Sequence, residues 1–94
     1  IVLPVVTSPE AHVFHVFVVR VQNRQHFQQY LTENEIETII HYPIPPHQQP
    51  AYKDLGMLEF PVSELIHKEI ISLPLSPVMS EKDIKYVVDI INKY

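Results

Sequence analysis

Between Ile40 and Tyr52 the chain reads Ile-His-Tyr-Pro-Ile-Pro-Pro-His-Gln-Gln-Pro-Ala-Tyr, setting His41, Tyr42, His47 and Tyr52 among Pro43, Pro45, Pro46 and Pro50. Imidazole and phenol groups donate and accept hydrogen bonds without needing a full charge, which suits sugar hydroxyls and phosphate oxygens. Each proline fixes its φ and removes one N–H donor, and the residue ahead of it is pushed toward extended backbone. Such a loop loses little entropy on ordering. It holds polar and aromatic groups at set positions, as a recognition surface requires. The same residues also suit a plain connection whose rings pack on the core, with His41 and Tyr42 tied to their own backbone.

Other chemistry is sparser. His12 and His15 fall on opposite sides of an extended segment, where side chains alternate, so they do not pair as metal ligands. No HExxH spacing exists and the chain has no cysteine, which leaves no metal motif. His15 reads as a buried histidine with its bonds satisfied, or as the lining of a pocket. His26 and His67 read as helix-surface residues, and Arg20 and Arg24 as strand-end ion-pair partners ahead of phosphate ligands. The five lysines (Lys53, Lys68, Lys82, Lys85 and Lys93) stand among polar neighbours. None has the desolvated setting that depresses a lysine pKa. Gly56 is the only glycine, which excludes a glycine-rich phosphate cradle.

Composition narrows the classes further. Ninety-four residues make one small domain, and 46% hydrophobic content predicts that it folds. No apolar run reaches the roughly 18 residues of a membrane helix, and no signal-peptide pattern opens the chain. Nothing marks an oxidising compartment, so the cytoplasm is the default expectation. A net charge of −4 with seven Lys plus Arg argues against nucleic-acid binding, which rests on phosphate neutralisation. The chain opens at Ile1 in an apolar segment without an initiator methionine, which reads as the middle of something longer.

The elements that would position the loop follow from periodicity. His12 to Val21 predicts a strand apolar on both faces, hence covered on both. Asn23 caps a helix to Glu33 whose stripe is Phe27, Tyr30 and Leu31, with Asn34 as its left-handed stop. Ile36 to Ile40 predicts a second strand, Gln48 to Leu55 a short helical turn, and Pro61 the start of a helix bearing Val62, Leu65, Ile66 and Ile70. Ser72 to Leu75 predicts a third strand with Pro74 at an edge. Ser80 and Asp83 open a last helix with Ile84, Val87, Val88 and Ile91 as its stripe. The fold class expected is therefore α+β: a small sheet of about three strands with helices on one face. The other face of the first strand should present an uncovered apolar surface, large enough for an interface.

The ordered set His12-Val13-Phe14-His15-Val16-Phe17-Val18-Val19-Arg20, Ile36-Glu37-Thr38, His41-Tyr42-Pro43-Ile44-Pro45-Pro46-His47, Gln49-Pro50-Ala51-Tyr52 and Leu73-Pro74-Leu75-Ser76-Pro77 carries a resemblance. Over essentially its whole length the chain resembles the C-terminal small domain of the DegT/DnrJ/EryC1/StrS aminotransferases. These are pyridoxal-phosphate enzymes of the aspartate-aminotransferase fold type I that aminate nucleotide-linked keto-sugars. The His41–His47 stretch is most similar to the branch that makes dTDP-3-amino-3,6-dideoxyhexoses. One departure is Glu35, where the family usually has glycine; Asn34 is expected to take over the left-handed stop.

The resemblance implies that residues 1–94 are the C-terminal part of a larger enzyme whose large domain holds pyridoxal phosphate. It implies no catalytic residue and no cofactor contact on this chain by itself, a homodimeric parent, and a dTDP-sugar-like substrate met by His41, Tyr42 and His47; His15 joins these substrate-binding candidates as a pocket-lining residue of the strand. The alternative is a freestanding ferredoxin-like module that binds a small molecule, or dimerises, without catalysis.

Overall fold

A computed structural model describes residues 1–94. Two four-residue strands, β1 (Phe17–Arg20) and β2 (Ile70–Leu73), pair antiparallel with Val18 opposite Ser72 and Val19 opposite Ile71. Single bridges extend the pair on each side, Val2 to Arg20 and Ile39 to Ser72. The sheet is thus two-stranded, where three strands were expected. The Ile36–Ile40 segment contributes one bridge only, through Ile39.

Helix α1 (Arg24–Glu33) and helix α3 (Glu81–Ile91) supply the other half of the core. Alternation in β1 and β2 sends Phe17, Val19, Ile71 and Leu73 to one face. Val19 and Ile71 meet Phe27 and Leu31 of α1, Ile90 of α3, Val21 and Ile36, all buried. Val87 and Ile91 flank them, while Ile84 and Val88 are about half exposed. The α3 sequence holds two overlapping apolar stripes. The inward one is Val87, Ile90 and Ile91, at the same i, i+3, i+4 spacing as the stripe expected around Ile84. The caps follow the sequence. Asn23 accepts from the His26 amide at 3.3 Å, and Ser80 forms a reciprocal capping box with Asp83. The Ser80 hydroxyl and then its amide hold the Asp83 carboxyl below its ordinary range.

Three further expectations are corrected. The stretch from His12 does not extend into β1: Phe14 turns at φ 44°, its amide donates to His12 Nδ1 at 2.8 Å, and its ring stacks on Phe17. A local side-chain acceptor and an aromatic contact outcompete ladder bonds there, since no neighbouring strand offers them. The left-handed stop of α1 is Glu35 at φ 58°, with Asn34 at φ −101°. The Glu35 amide donates to Thr32 O at 3.0 Å and the Ile36 amide to Leu31 O at 2.9 Å. That pair of bonds is a Schellman stop, closed by contact of two core residues, Leu31 and Ile36. Because Ile36 must reach the core, the turn falls one residue before it, and a glutamate bears the left-handed cost.

The third correction concerns the second sheet face. It carries Val18, Arg20, Ile70 and Ser72, of which Ile70 and Ser72 are buried and the other two partly so. The chain itself covers much of that face. Exposed apolar side chains lie elsewhere, among them those of Ile1–Val6, of Leu55–Phe60, and of Val62 and Leu65 on helix α2 (Pro61–Glu69).

Replacing Glu35 by glycine, which adopts positive φ without a Cβ penalty, raises unfolding stability by about 1 kcal/mol. Leu31→Ala in the same stop costs about 2–5 kcal/mol through loss of packing. Urea denaturation of the two variants against the parent chain checks both values.

Candidate functional site

The loop is a connection between the Ile39 bridge and α2, built from two 3-10 turns at Pro46–Gln48 and Pro50–Leu55 that replace the helical turn expected over Gln48–Leu55. Prolines open both turns, where a missing N–H costs nothing. Backbone bonds do not hold its first half: His41 to Ile44 make none. Side chains do that work. His41 Nδ1 lies 2.8 Å from the Ser72 hydroxyl of β2, and His67 Nδ1 of α2 donates to Tyr42 O at 2.6 Å. The His41–Tyr42 peptide bond is cis.

An open cleft of about 770 Å³ lies between the Ile39 edge of the sheet, the ends of β1 and β2, and helices α1 and α3. His15 and His41 both line it, with Ser72, Thr38, Gln28 and Tyr86 as further hydrogen-bonding groups. Gln28 Nε2 reaches Thr38 Oγ1 at 3.4 Å, and the Tyr86 hydroxyl donates to Asn34 O at 3.1 Å. The charged lining is acidic (Glu35, Glu37 and Asp83), and no lysine or arginine joins it. Such a wall suits neutral hydroxyls or an amine and repels phosphate.

The four residues singled out from sequence are thus divided. His15, expected to be buried or to line a pocket, is exposed and lines the same cleft as His41. Tyr42 is not among the residues lining the cleft; it is 65% exposed, and its ring packs edge-on to the His41 ring at 5.7 Å. His47 is not brought to the cleft. Its ring is only 6% exposed, packs at 4.8 Å against Phe60, and donates from Nε2 to Glu64 Oε1 at 3.1 Å. The same Glu64 oxygen accepts from the Phe60 amide at 3.0 Å, doing half the work of a helix cap. That amide, and after it the His47 ring, holds the Glu64 carboxyl below its ordinary value of 4.5.

Sequence reasoning missed the residues that hold the loop: Ser72, Glu64 and His67. A signal existed for two of them, because Glu64 and His67 stand at i, i+3 and share one face of α2. The arginines behave as ion-pair and cap partners. Arg20 binds Glu69 at 2.7 Å, and Arg24 Nη1 donates to His67 O at 2.6 Å near the C-terminus of α2.

The fold has counterparts among sugar-nucleotide aminotransferases. Over 98% of its length the chain superposes on a quarter of the crystal structure of DesV from S. venezuelae, with a TM-score of 0.85 and 32% identity. It belongs to the DegT/DnrJ/EryC1/StrS aminotransferase family, whose model matches residues 1–92. It is 55% identical over 92 residues to dTDP-3-amino-3,6-dideoxy-alpha-D-galactopyranose transaminase of Aneurinibacillus thermoaerophilus, covering 98% of this chain and 25% of that protein. Against the erythromycin biosynthesis sensory transduction protein EryC1 of Saccharopolyspora erythraea it is 42% identical, over 92% of this chain and 25% of that protein. The chain therefore spans about a quarter of the length of these relatives. The small sheet backed by helices is the α+β arrangement expected for this part of the family.

Aminotransferases of this family depend on pyridoxal phosphate. The residues here do not fit that cofactor by themselves. All five lysines are exposed and none lines the cleft, and Gly56, at φ −64°, ends a 3-10 turn and shapes no anion cradle. No helix is long and apolar enough to cross a membrane.

Because the Glu64 carboxyl is held low in the folded chain, its contribution to stability is fully present above its unfolded value and is lost as pH falls through the lowered one. Glu64→Gln flattens that acid limb. Asp83, the other depressed carboxyl, leaves part of the limb in place. Thermal melts of both proteins between about pH 3 and pH 7 check this, and superimposable curves would count against it.

Proposed function

We propose that this chain is the C-terminal domain of a pyridoxal-phosphate aminotransferase and forms the sugar-facing wall of its substrate cleft. The substrate class is a nucleotide-linked 3-keto-deoxysugar of the dTDP type, aminated at the keto carbon in the cytoplasm. The observation that carries this reading is that His15 and His41 line one cleft together with hydroxyl, amide and acidic side chains and no lysine or arginine. Sugar hydroxyls are matched by imidazole and hydroxyl partners. The acidic rim favours the amino product and directs the diphosphate away from this wall. His41 and Tyr42 contact the sugar, His15 completes the wall, and His47 supports the loop from beneath through Glu64. The 55% identical transaminase from Aneurinibacillus supports the substrate class.

Surface area supports a domain that is covered in its working state. The chain exposes 7483 Å². A self-contained monomer of its 11.0 kDa mass exposes about 5600 Å². Its radius of gyration is 15.3 Å, against about 12 Å for a compact chain of 94 residues. The surplus, roughly 1900 Å², is what a substantial interface removes from water. A large catalytic domain and the second subunit of a homodimer are the proposed covers.

In the full-length, cofactor-loaded enzyme, His41→Ala and Tyr42→Phe each raise KM for the nucleotide sugar about tenfold, the equivalent of one lost hydrogen bond. The cofactor absorbance stays unchanged, because neither residue is expected to touch the cofactor. Steady-state kinetics with the nucleotide sugar varied are the check, and unchanged KM values would leave the loop a structural feature.

A further inference from the structure

Helix α2 is held in place in an unusual way. None of its residues is fully buried, and Val62 and Leu65 face solvent. Its C-terminal end runs directly into β2, with the Val21 amide donating to the Glu69 carbonyl at 2.9 Å, and two arginines add to the hold: Arg20 of β1 to Glu69 at 2.7 Å, and Arg24 of α1 to the His67 carbonyl at 2.6 Å. From that fastened end the His67 ring reaches the loop. Its Nδ1 lies 2.6 Å from the Tyr42 carbonyl. A carbonyl only accepts, so Nδ1 carries the proton.

Tyr42 makes no other hydrogen bond, and its only ring contact is the edge-on one with His41. Its amide makes no backbone bond, its phenol has no partner within the chain, and Pro43 after it has no N–H. The one hydrogen bond that holds the residue bearing this exposed phenol runs from His67 to the residue's own carbonyl.

We propose that His67 is a positioning residue for substrate recognition: its Nδ1–H, anchored through Arg24 to the core layer, fixes the Tyr42 peptide and so holds the loop in its binding-competent form. This rests on the loop's role in sugar recognition proposed above. When a binding-competent conformer is only partly populated, apparent affinity falls by that fraction. The reacting bond is untouched, so the effect belongs in KM rather than kcat.

Kinetics of the full-length enzyme provide the first readout. His67→Ala raises KM for the nucleotide sugar about tenfold and leaves kcat within about twofold, in line with one lost bond. His67→Asn, whose Nδ2–H takes the place of Nδ1–H, restores KM to within about threefold. A purely structural role would show no such rescue, and would lower kcat and thermal stability in both variants. The second readout needs no activity: nitrogen NMR of the full-length protein with labelled histidine. His67 is expected in the Nδ1–H form. An Nε2–H form overturns the proposal, as does equal KM in the alanine and asparagine variants. If His41→Ala and Tyr42→Phe raise KM while His67→Ala does not, recognition by the loop stands and positioning by His67 fails. If all three leave KM unchanged while the ring keeps Nδ1–H, the recognition reading fails and His67 is left a tether without a function.

Discussion

Shortage of core governs this chain. Eleven of its 94 residues are buried, and one layer of apolar side chains around Val19, Ile71, Phe27 and Leu31 holds β1, β2, α1 and α3 together. A core of that size fixes the sheet and two helices and leaves little for anything further from it. The proline loop and α2 lie beyond its reach. Apart from the run of α2 into β2, they are held by hydrogen bonds and ion pairs that start near residues the core already fixes: Arg20, Val21 and Ser72 in and beside the sheet, and Arg24 at the start of α1.

Seen from the loop, this division makes chemical sense. Apolar packing would have consumed the faces of His41 and Tyr42. Single polar tethers from Ser72 and His67 leave the Tyr42 phenol and the cleft-facing side of His41 free. His47 takes the opposite part. It is buried against Phe60 and bonded to Glu64, so the far end of the loop is anchored by the same residue that caps α2. Loop and helix thus hold each other, and pH couples to both through one carboxylate.

Local signals were legible in the sequence where they act through the backbone alone. Asn23, Pro61 and the Ser80–Asp83 pair mark helix starts, because a cap needs only its own first turn. The strand from His12 was misjudged for the converse reason. Alternation describes what two faces would bury, while a strand also needs a neighbour to bond, and only Phe17–Arg20 has one along its length. The stop of α1 shows the same dependence. Asn34 has the better intrinsic tolerance of left-handed backbone, yet the requirement that Ile36 enter the core places the turn at Glu35.

The sequence by itself determined the helix starts at Asn23, Pro61 and Ser80 and, through the ordered segments around the proline loop, the family. Those properties reside in residue types and their order, which need no partner in space. Tertiary structure alone decided that His15 and His41 share a cleft, that His47 turns away from it, and that His67, from 25 residues away, holds Tyr42. The physical reason is range. A side-chain hydrogen bond is formed or lost within an ångström, and no periodicity in the chain encodes a distance that fine between residues so far apart.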